Sequence, residues 1–470
     1  MRMGGRRPAW SRCLPVAVAL TIAGVYAASA APAAAPNVVL VSIDTLRADH
    51  CSAYGYAKET TPRLERLARE GVQFDTAYTP MPTTGPAHAS LLTARYPRSH
   101  GVLKNGHVLA ADRTTLAEVL ERAGYDTIAV VSSFVLHDRF GFAQGFARYD
   151  DRFPPTRVSA PVSEFRKDID IEGGFYRQAR DTTNQAIARL RARSGDRPFF
   201  LWVHYFDPHQ PYDPPAEYVQ ALARSDRGGG ATADASGPGD ERLRRQIAAY
   251  DAEIRYTDHE IGRLLDHLDE EVGRERTLVV VTADHGEGLM QHGWMGHGVH
   301  LHEELVRVAL LLRWPGHVPA GRRLAAPVGL IDVAPTILGL LEIPPGDLAA
   351  QGIDLSPAVR GAGTPAADRP MYFQRRSYKT PTHNGRDTRY PMFAIRQGRW
   401  KYVEDGPGAA LYDLESDPGE LTDVRASEPQ VAATLARELR AWHETEEKLP
   451  PQHAIAPEDG ERLRALGYVE

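Results

Sequence analysis

Cysteine is nearly absent. Of 470 residues only Cys13 and Cys51 carry a thiol, and Cys13 falls in a leader-like N-terminal segment. Cys51 is then alone, so no intramolecular disulfide can brace the fold even in an oxidising compartment, and stability must come from an apolar core. An excess of basic residues is missing too. The 55 Lys and Arg stand against 61 Asp and Glu, a formal charge of -6, which gives no sign of a nucleic-acid or anionic-membrane binder. There is no bundle of long apolar runs and no internal repeat. What is plentiful is loop chemistry, with 41 Gly and 35 Pro. A hydrophobic fraction of 42% and a charged fraction of 25% are ordinary for a soluble globular protein. The length predicts one large domain and a smaller one.

The first 30 residues stand apart. Arg2, Arg6, Arg7 and Arg12 precede or flank the apolar run "LPVAVALTIAGVYAA", and "ASA" follows before Ala31. This is the layout of a secretory signal with a small-residue cleavage site, and it predicts a secreted or periplasmic mature chain. The alternative is an uncleaved N-terminal membrane anchor, against which the run is near the lower length limit for spanning.

Beyond the leader, β-branched runs alternate with helical patterns. "NVVLVSI" (Asn37–Ile43), "DTIAVVS" (Asp126–Ser132), "PFFLWVHYF" (Pro198–Phe206), "TLVVVTA" (Thr277–Ala283) and "VALLLRW" (Val308–Trp314) read as buried strands. Between them, "TPRLERLAREG" has Thr61 as N-cap, Pro62 in the first turn and Gly71 as its stop. "LAEVLERAG" and "AEIRYTDHEIGRLLDHL" are further helices. The order predicts an α/β fold, a mostly parallel central sheet flanked by helices, over residues 31–365. "SDRGGGATADASGPGD" (Ser225–Asp240) reads as a surface loop. Residues 366–470 read as a smaller α+β subdomain: a hairpin in "MFAIRQGRWKYVED", then a helix opened by a capping box of Ser427 and Gln430.

In an open parallel sheet, ligands bind beyond the carboxyl ends of the strands. Three strands here end in reactive side chains: Asp44-Thr45, Asp207-Pro208-His209 and Asp284-His285-Gly286-Glu287. Asp44, Asp284 and His285 form a divalent-metal set. Mixed carboxylate and imidazole ligands suit Zn²⁺ or Mn²⁺, and a mostly oxygen set suits Ca²⁺. Taken singly, each Asp is equally a helix N-cap. Thr84 precedes a short helix, Ala87–Thr93, whose free N–H groups suit a sulfate or phosphate oxyanion. Its hydroxyl is a weak nucleophile unless a metal or base lowers its pKa; otherwise it caps the helix. Histidines are frequent nearby, and His209 and His297 are the best placed to bind an anionic group or protonate a leaving oxygen. His300 and His302 read as surface or structural residues. "QHGWMGHGVHLHEE" lacks the His-Glu-x-x-His spacing of a zinc-protease helix.

Together these stretches resemble the sulfatase family of the alkaline phosphatase superfamily, from Asn37 to about Val424. The landmarks are "SIDTLRADH", "HASLLTARYPRSHGV", "YFDPHQPYDPP", "TADHGEGLMQHG" and "AIRQGRWKYVEDGPGAALYDLESDPGEL". The resemblance implies a metal-dependent hydrolase of sulfate or phosphate esters. Its substrate would be a small molecule or a glycan- or lipid-linked ester. The family motif is Cys-x-Pro-Ser-Arg, with the cysteine oxidised to formylglycine. Here the stretch is Thr84-Gly85-Pro86-Ala87-His88, so no formylglycine is expected and His88 stands where the arginine would be. The family's Asp-Asp pair is Asp44-Thr45, its Asp-Asn pair is Asp284-His285, and His297 replaces its sulfate-contacting lysine. Asp44, Thr84, Asp284 and His285 match instead the metal and nucleophile positions of phosphoethanolamine transferases and lipoteichoic-acid synthases. The resemblance thus points to Thr84 as a metal-activated nucleophile, with His88, His209 and His297 as catalytic partners. A phosphoryl head-group transferase and a non-catalytic sulfatase-like binding protein are the alternatives.

Overall fold

Seven consecutive residues of "NVVLVSI" are buried in strand β1, Asn37–Ile43, as an unalternating apolar run requires. Each fully buried Val, Leu or Ile there stabilises the fold by about 1.5–3 kcal/mol relative to exposure. The computed structural model describes residues 35–154, 174–225, 241–378 and 388–445, with a few isolated positions elsewhere. The expected leader, apart from Met1, and residues 226–240 of the expected loop lie outside the described residues.

Seven further strands join β1 in one sheet: β2 (Val72–Phe74), β3 (Asp126–Val130), β4 (Arg148–Asp150), β5 (Phe199–Tyr205), β6 (Thr277–Ala283), β7 (Leu310–Arg313) and β8 (Arg322–Leu324). The spatial order is β8-β2-β7-β6-β1-β5-β3-β4. β1 lies parallel to both β5 and β6, and β3 is parallel to β5 and β4. Only β7 runs against its neighbours, antiparallel to β6 and β2. The expected α/β architecture therefore holds. The run expected as one strand at Val308–Trp314 divides: Arg307–Val308 pairs with Ala77–Tyr78 in a small separate sheet, and β7 begins two residues later.

The helices that flank the sheet include α1 (Pro62–Glu70), α2 (Thr84–Thr93), α3 (Ala179–Arg191), α4 (Glu241–His267) and α5 (Val333–Leu341). Local capping signals gave way to tertiary partners. Thr61 makes no side-chain cap on α1; its hydroxyl accepts the Ala53 N–H instead. The first amides of α1 are capped from across the structure, Arg63 and Leu64 each donating to a carboxylate oxygen of Asp258 on α4 at 2.9 Å. Gly71 does follow α1, but its φ of -150° is open to any residue. Glycine is needed because a Cβ would meet the Leu312 carbonyl at 2.0 Å.

A second sheet is antiparallel throughout: β9 (Met371–Arg375), β10 (Met392–Gln397), β11 (Trp400–Asp405) and β12 (Gly408–Asp413). Alternation sets its two faces. Ile395, Tyr402 and Leu411 pack under Leu435 and Leu439 of α6 (Pro429–Thr445). Phe373, Ala394 and Val403 pack on Tyr78, Leu301 and Val306. Helix α6 starts later than expected, at Pro429, and the Ser427 hydroxyl donates to the Val424 carbonyl.

Candidate active site

Strands β1 and β6 are in register with Ile43 opposite Ala283, so Asp44 and Asp284 leave the sheet side by side. One donor atom each from Asp44, Asp284 and His285 lies within 4.8 Å of the others, and all three residues are buried. No hydrogen bond within 3.5 Å reaches either oxygen of Asp44 or Oδ2 of Asp284, although the Thr84 hydroxyl and the Thr45 N–H lie near enough to Asp44 to favour its charged form. The remaining Asp284 oxygen, Oδ1, accepts the N–H groups of His285 at 2.7 Å and Thr45 at 3.2 Å. His285 donates Nδ1–H to the Gly286 carbonyl at 2.9 Å, so its Nε2 carries the lone pair. That lone pair sits 3.5 Å from Asp284 Oδ2 and 3.7 Å from Asp44 Oδ1.

Buried acceptors gathered without a donor are costly unless a cation joins them. The titration behaviour has the same origin. Burial, then the Glu287 charge, holds Asp44 well above the usual carboxylate range. Burial, then the Asp44 charge, does the same to Asp284. Burial, followed by His297, drives His285 far below ordinary imidazole values, which keeps it neutral. Two carboxylates and a neutral imidazole nitrogen fit a divalent cation of the Mn²⁺ or Zn²⁺ type, and Ca²⁺ less well.

Thr84 stands over this set, its hydroxyl 3.4 Å from His285 Nε2. The helix expected to begin at Ala87 begins at Thr84 itself, and all ten of its residues are buried. Thr84 is thus the first residue of α2 and not its cap. One N–H of that helix end is already taken, since Gly85 donates to Asn105 Oδ1 at 2.8 Å. His88, one turn on, is fully engaged. Its Nδ1–H donates to the Thr84 carbonyl at 2.8 Å, and its Nε2 accepts from the Ser42 hydroxyl at 2.9 Å. Trp202 Nε1–H in turn donates to Ser42 Oγ at 3.0 Å. Burial pushes His88 down to about 4, consistent with this neutral form. The geometry makes His88 a support for the first turn of α2.

His209 and His297 complete the cluster. Their ring centroids lie 5.1 Å apart, and the His297 ring is 4.5 Å from that of His285. His209 donates Nδ1–H to the Gln210 carbonyl at 2.6 Å, and burial, then His297, pushes it down to about 3. His297 places Nδ1 3.4 Å from Glu287 Oε1. All seven residues expected at the site are therefore brought together. His300 and His302, expected as surface or structural, are buried: His302 lies 3.3 Å from Glu420 and stacks on His292.

The sequence reading assigned no role at the site to three neighbours, two of which, Thr45 and Glu287, it named only in passing. Thr45 is a β-branched residue at φ 54°, a conformation such residues seldom adopt. It is held there by its N–H on Asp284 and by the Tyr250 hydroxyl on its carbonyl at 2.7 Å. Glu287 is buried beside Asp44 and His297. His204 lies under Asp44. A lone histidine inside "FFLWVHYF" was the signal for the last of these.

The sulfatase family model matches residues 36–343, and the model of the N-sulphoglucosamine sulphohydrolase C-terminal region matches residues 290–445. An arylsulfatase of Clostridium perfringens is 26% identical over 451 residues, covering 84% of this chain and 91% of that protein. A protein solved in complex with its substrate D-glucosamine-2-N,6-O-disulfate superposes with a TM-score of 0.71 at 21% identity, covering 87% of this chain and 98% of the other. The phosphonate monoester hydrolase of Agrobacterium radiobacter does so with a TM-score of 0.67 at 24% identity, covering 88% and 96%. With the match running through both the metal-type cluster and the C-terminal sheet, the chain belongs to the sulfatase family of ester hydrolases.

Proposed function

We propose that the chain is a divalent-metal-dependent hydrolase of sulfate or phosphate esters in which Thr84 is the nucleophile. The observation that carries this reading is the buried set of Asp44, Asp284 and His285 with the Thr84 hydroxyl 3.4 Å from His285 Nε2. These four residues would hold the cation, which lowers the pKa of a hydroxyl beside it and offsets charge on the ester's non-bridging oxygens. No formylglycine is involved, since residue 84 is threonine.

Thr84 Oγ, having released its proton to solvent, bonds to sulfur or phosphorus as the bond from that atom to the ester oxygen breaks, and it regains a proton when water later displaces it. The departing oxygen takes the Nε2 proton of a His297 that carries protons on both nitrogens, Nδ1–H facing Glu287, and the water that attacks next returns a proton to that Nε2. Water then attacks the Thr84 ester, releasing sulfate or phosphate and restoring the hydroxyl. His209, neutral by burial with its Nδ1–H held by the Gln210 carbonyl, offers Nε2 as an acceptor to a hydroxyl or water beside the ester, and His88 keeps the first turn of α2 in place. A threonine ester cannot break down as a hemiacetal, so its release depends on direct displacement by water. This favours phosphorus over sulfur, and the fold shared with a phosphonate monoester hydrolase supports a scaffold open to phosphorus. In this reading residues 31–365 are catalytic, 366–470 shape the leaving-group side, and residues 1–30 direct the chain to the periplasm or outside the cell.

The test is turnover of matched nitrophenyl sulfate, phosphate monoester and phosphodiester by manganese- or zinc-reconstituted protein beside Thr84→Ala. Turnover of at least one substrate that disappears in the variant is expected. Turnover that survives the substitution overturns the assignment of the nucleophile.

A further inference from the structure

His204 occupies the position of β5 paired with Ser42 of β1, two residues before Asp44 on the same face. Its ring is fully buried. Nδ1 accepts the Ser132 backbone N–H at 3.3 Å, and a neutral imidazole that accepts at Nδ1 carries its proton on Nε2. Burial keeps the ring neutral. The backbone around it is pinned as well, because the Ser132 hydroxyl donates to the His204 carbonyl.

The Nε2–H of His204 faces Asp44 Oδ2 at 3.7 Å, and neither atom has another hydrogen-bond partner. Asp44 Oδ1, on the other side of the carboxylate, faces His285 Nε2 at the same 3.7 Å. The two oxygens are thus sorted, one toward the cluster of cation ligands and one toward a donor. The gap exceeds a normal N–H···O bond by about 0.7 Å, which a small rotation of the carboxylate closes. His88 is the other imidazole under the cluster, with Nδ1 3.7 Å from Asp284 Oδ2. Its proton is already committed to the Thr84 carbonyl, so it cannot serve Asp284 in this way.

We propose that His204 is a positioning residue for the cation site: its Nε2–H holds Asp44 Oδ2 and leaves Oδ1 to face the cation. This rests on the reading that Asp44, Asp284 and His285 bind a divalent metal. It implies that the second neighbours of this site include a histidine that never touches substrate or metal.

The experiment is calorimetric titration of the metal-free, full-length protein with Mn²⁺ and with Zn²⁺, for wild type, His204→Gln and His204→Leu. Glutamine retains an N–H near the Nε2 position and leucine does not. The leucine variant is expected to bind about 10–100-fold more weakly, while glutamine restores most of the affinity. Leucine binding as tightly as wild type, or glutamine losing as much as leucine, overturns the proposal. A wild-type protein that binds neither ion overturns the metal reading beneath it, which is a different failure. Should the leucine variant not fold, histidine ¹⁵N spectra of the wild type against His204→Gln decide the matter. They are expected to assign the Nε2–H form to His204, with that resonance moving on addition of Zn²⁺; an Nδ1–H form contradicts the proposal.

Discussion

Asp284→Asn separates the two roles that the structure gives this side chain. Oδ1 accepts two backbone N–H groups, from His285 and Thr45, and asparagine keeps that acceptor. Oδ2 is buried, has no hydrogen-bond partner and lies 3.5 Å from His285 Nε2, and there asparagine replaces charge with an amide. Ligand atoms of Asp44 and Asp284 lie within 4.8 Å; at an effective dielectric of 20, two full charges at that separation repel by about 3 kcal/mol. Partial protonation, expected from the raised carboxyls, reduces this, so metal-free Asp284→Asn is expected to be about 1–3 kcal/mol more stable than wild type. Metal at a thousandfold excess over its dissociation constant adds about 4 kcal/mol to a protein that binds it and nothing to one that does not. The order of stability therefore inverts between chelator and metal. Urea melts in EDTA and in a MnCl₂ series read both arms. A variant less stable than wild type in EDTA, or one that keeps the full metal-induced gain, refutes the argument that Oδ2 is an uncompensated charge awaiting a cation.

Three further outcomes are expected. Asp258→Ala strips two N–H bonds from the start of α1 and is expected to cost about 1–2 kcal/mol in urea denaturation; an unchanged midpoint contradicts the cross-structure cap. Lys401 is buried against Glu303 at 3.0 Å and Glu420 at 2.9 Å, so Lys401→Met removes the cation shared by two carboxylates that keep only the Tyr78 hydroxyl, the Glu303 N–H and His302, and is expected to destabilise by about 3–5 kcal/mol. A loss below 1 kcal/mol would show the pair to be dispensable. Finally, burial pushes His88 to about 4, and His100 and His209 to about 3, below the unfolded value near 6.5. At these histidines the unfolded chain binds more protons than the folded one between about pH 6.5 and 4. Each therefore lowers stability on acidification by about 1.4 kcal/mol per pH unit, while the raised carboxyls of Asp44, Asp258 and Asp284 act in the opposite direction. The difference between wild type and His100→Gln isolates one such group: from pH 7.5 down to 5 the variant should lose less urea stability than wild type, by about 1.4 kcal/mol per pH unit below 6.5; a difference that does not change with pH refutes it.

The sheet and the meeting of Asp44, Asp284 and His285 were legible because both rest on one-dimensional signals. Fully apolar runs such as Asn37–Ile43 and Thr277–Ala283 mark buried parallel strands, and a polar residue just past each, Asp44 or Asp284, falls at the end where parallel sheets bind ligands. Thr84 was legible only through the motif around it. Features that depend on partners far along the chain were not. Asp258 lies 195 residues from the Arg63 amide that it accepts, so local rules assigned the cap to Thr61. The reversed direction of β7 is set by β6 and β2, not by its own composition. His204 looked like an interruption in an apolar strand, since the pairing that brings it under Asp44 appears only once β1 and β5 lie side by side. The φ of Thr45 likewise belongs to the folded loop, where Asp284 and Tyr250 hold it.

The central claim, that Thr84 attacks the ester, is tested most directly by acid-quenching the metal-reconstituted enzyme during turnover of an activated nitrophenyl ester and mapping the modified peptide by mass spectrometry. The account predicts one sulfuryl or phosphoryl group on Thr84, absent from unreacted enzyme and from Thr84→Ala. Turnover with Thr84 unmodified at every quench time, and retained in Thr84→Ala, would contradict it.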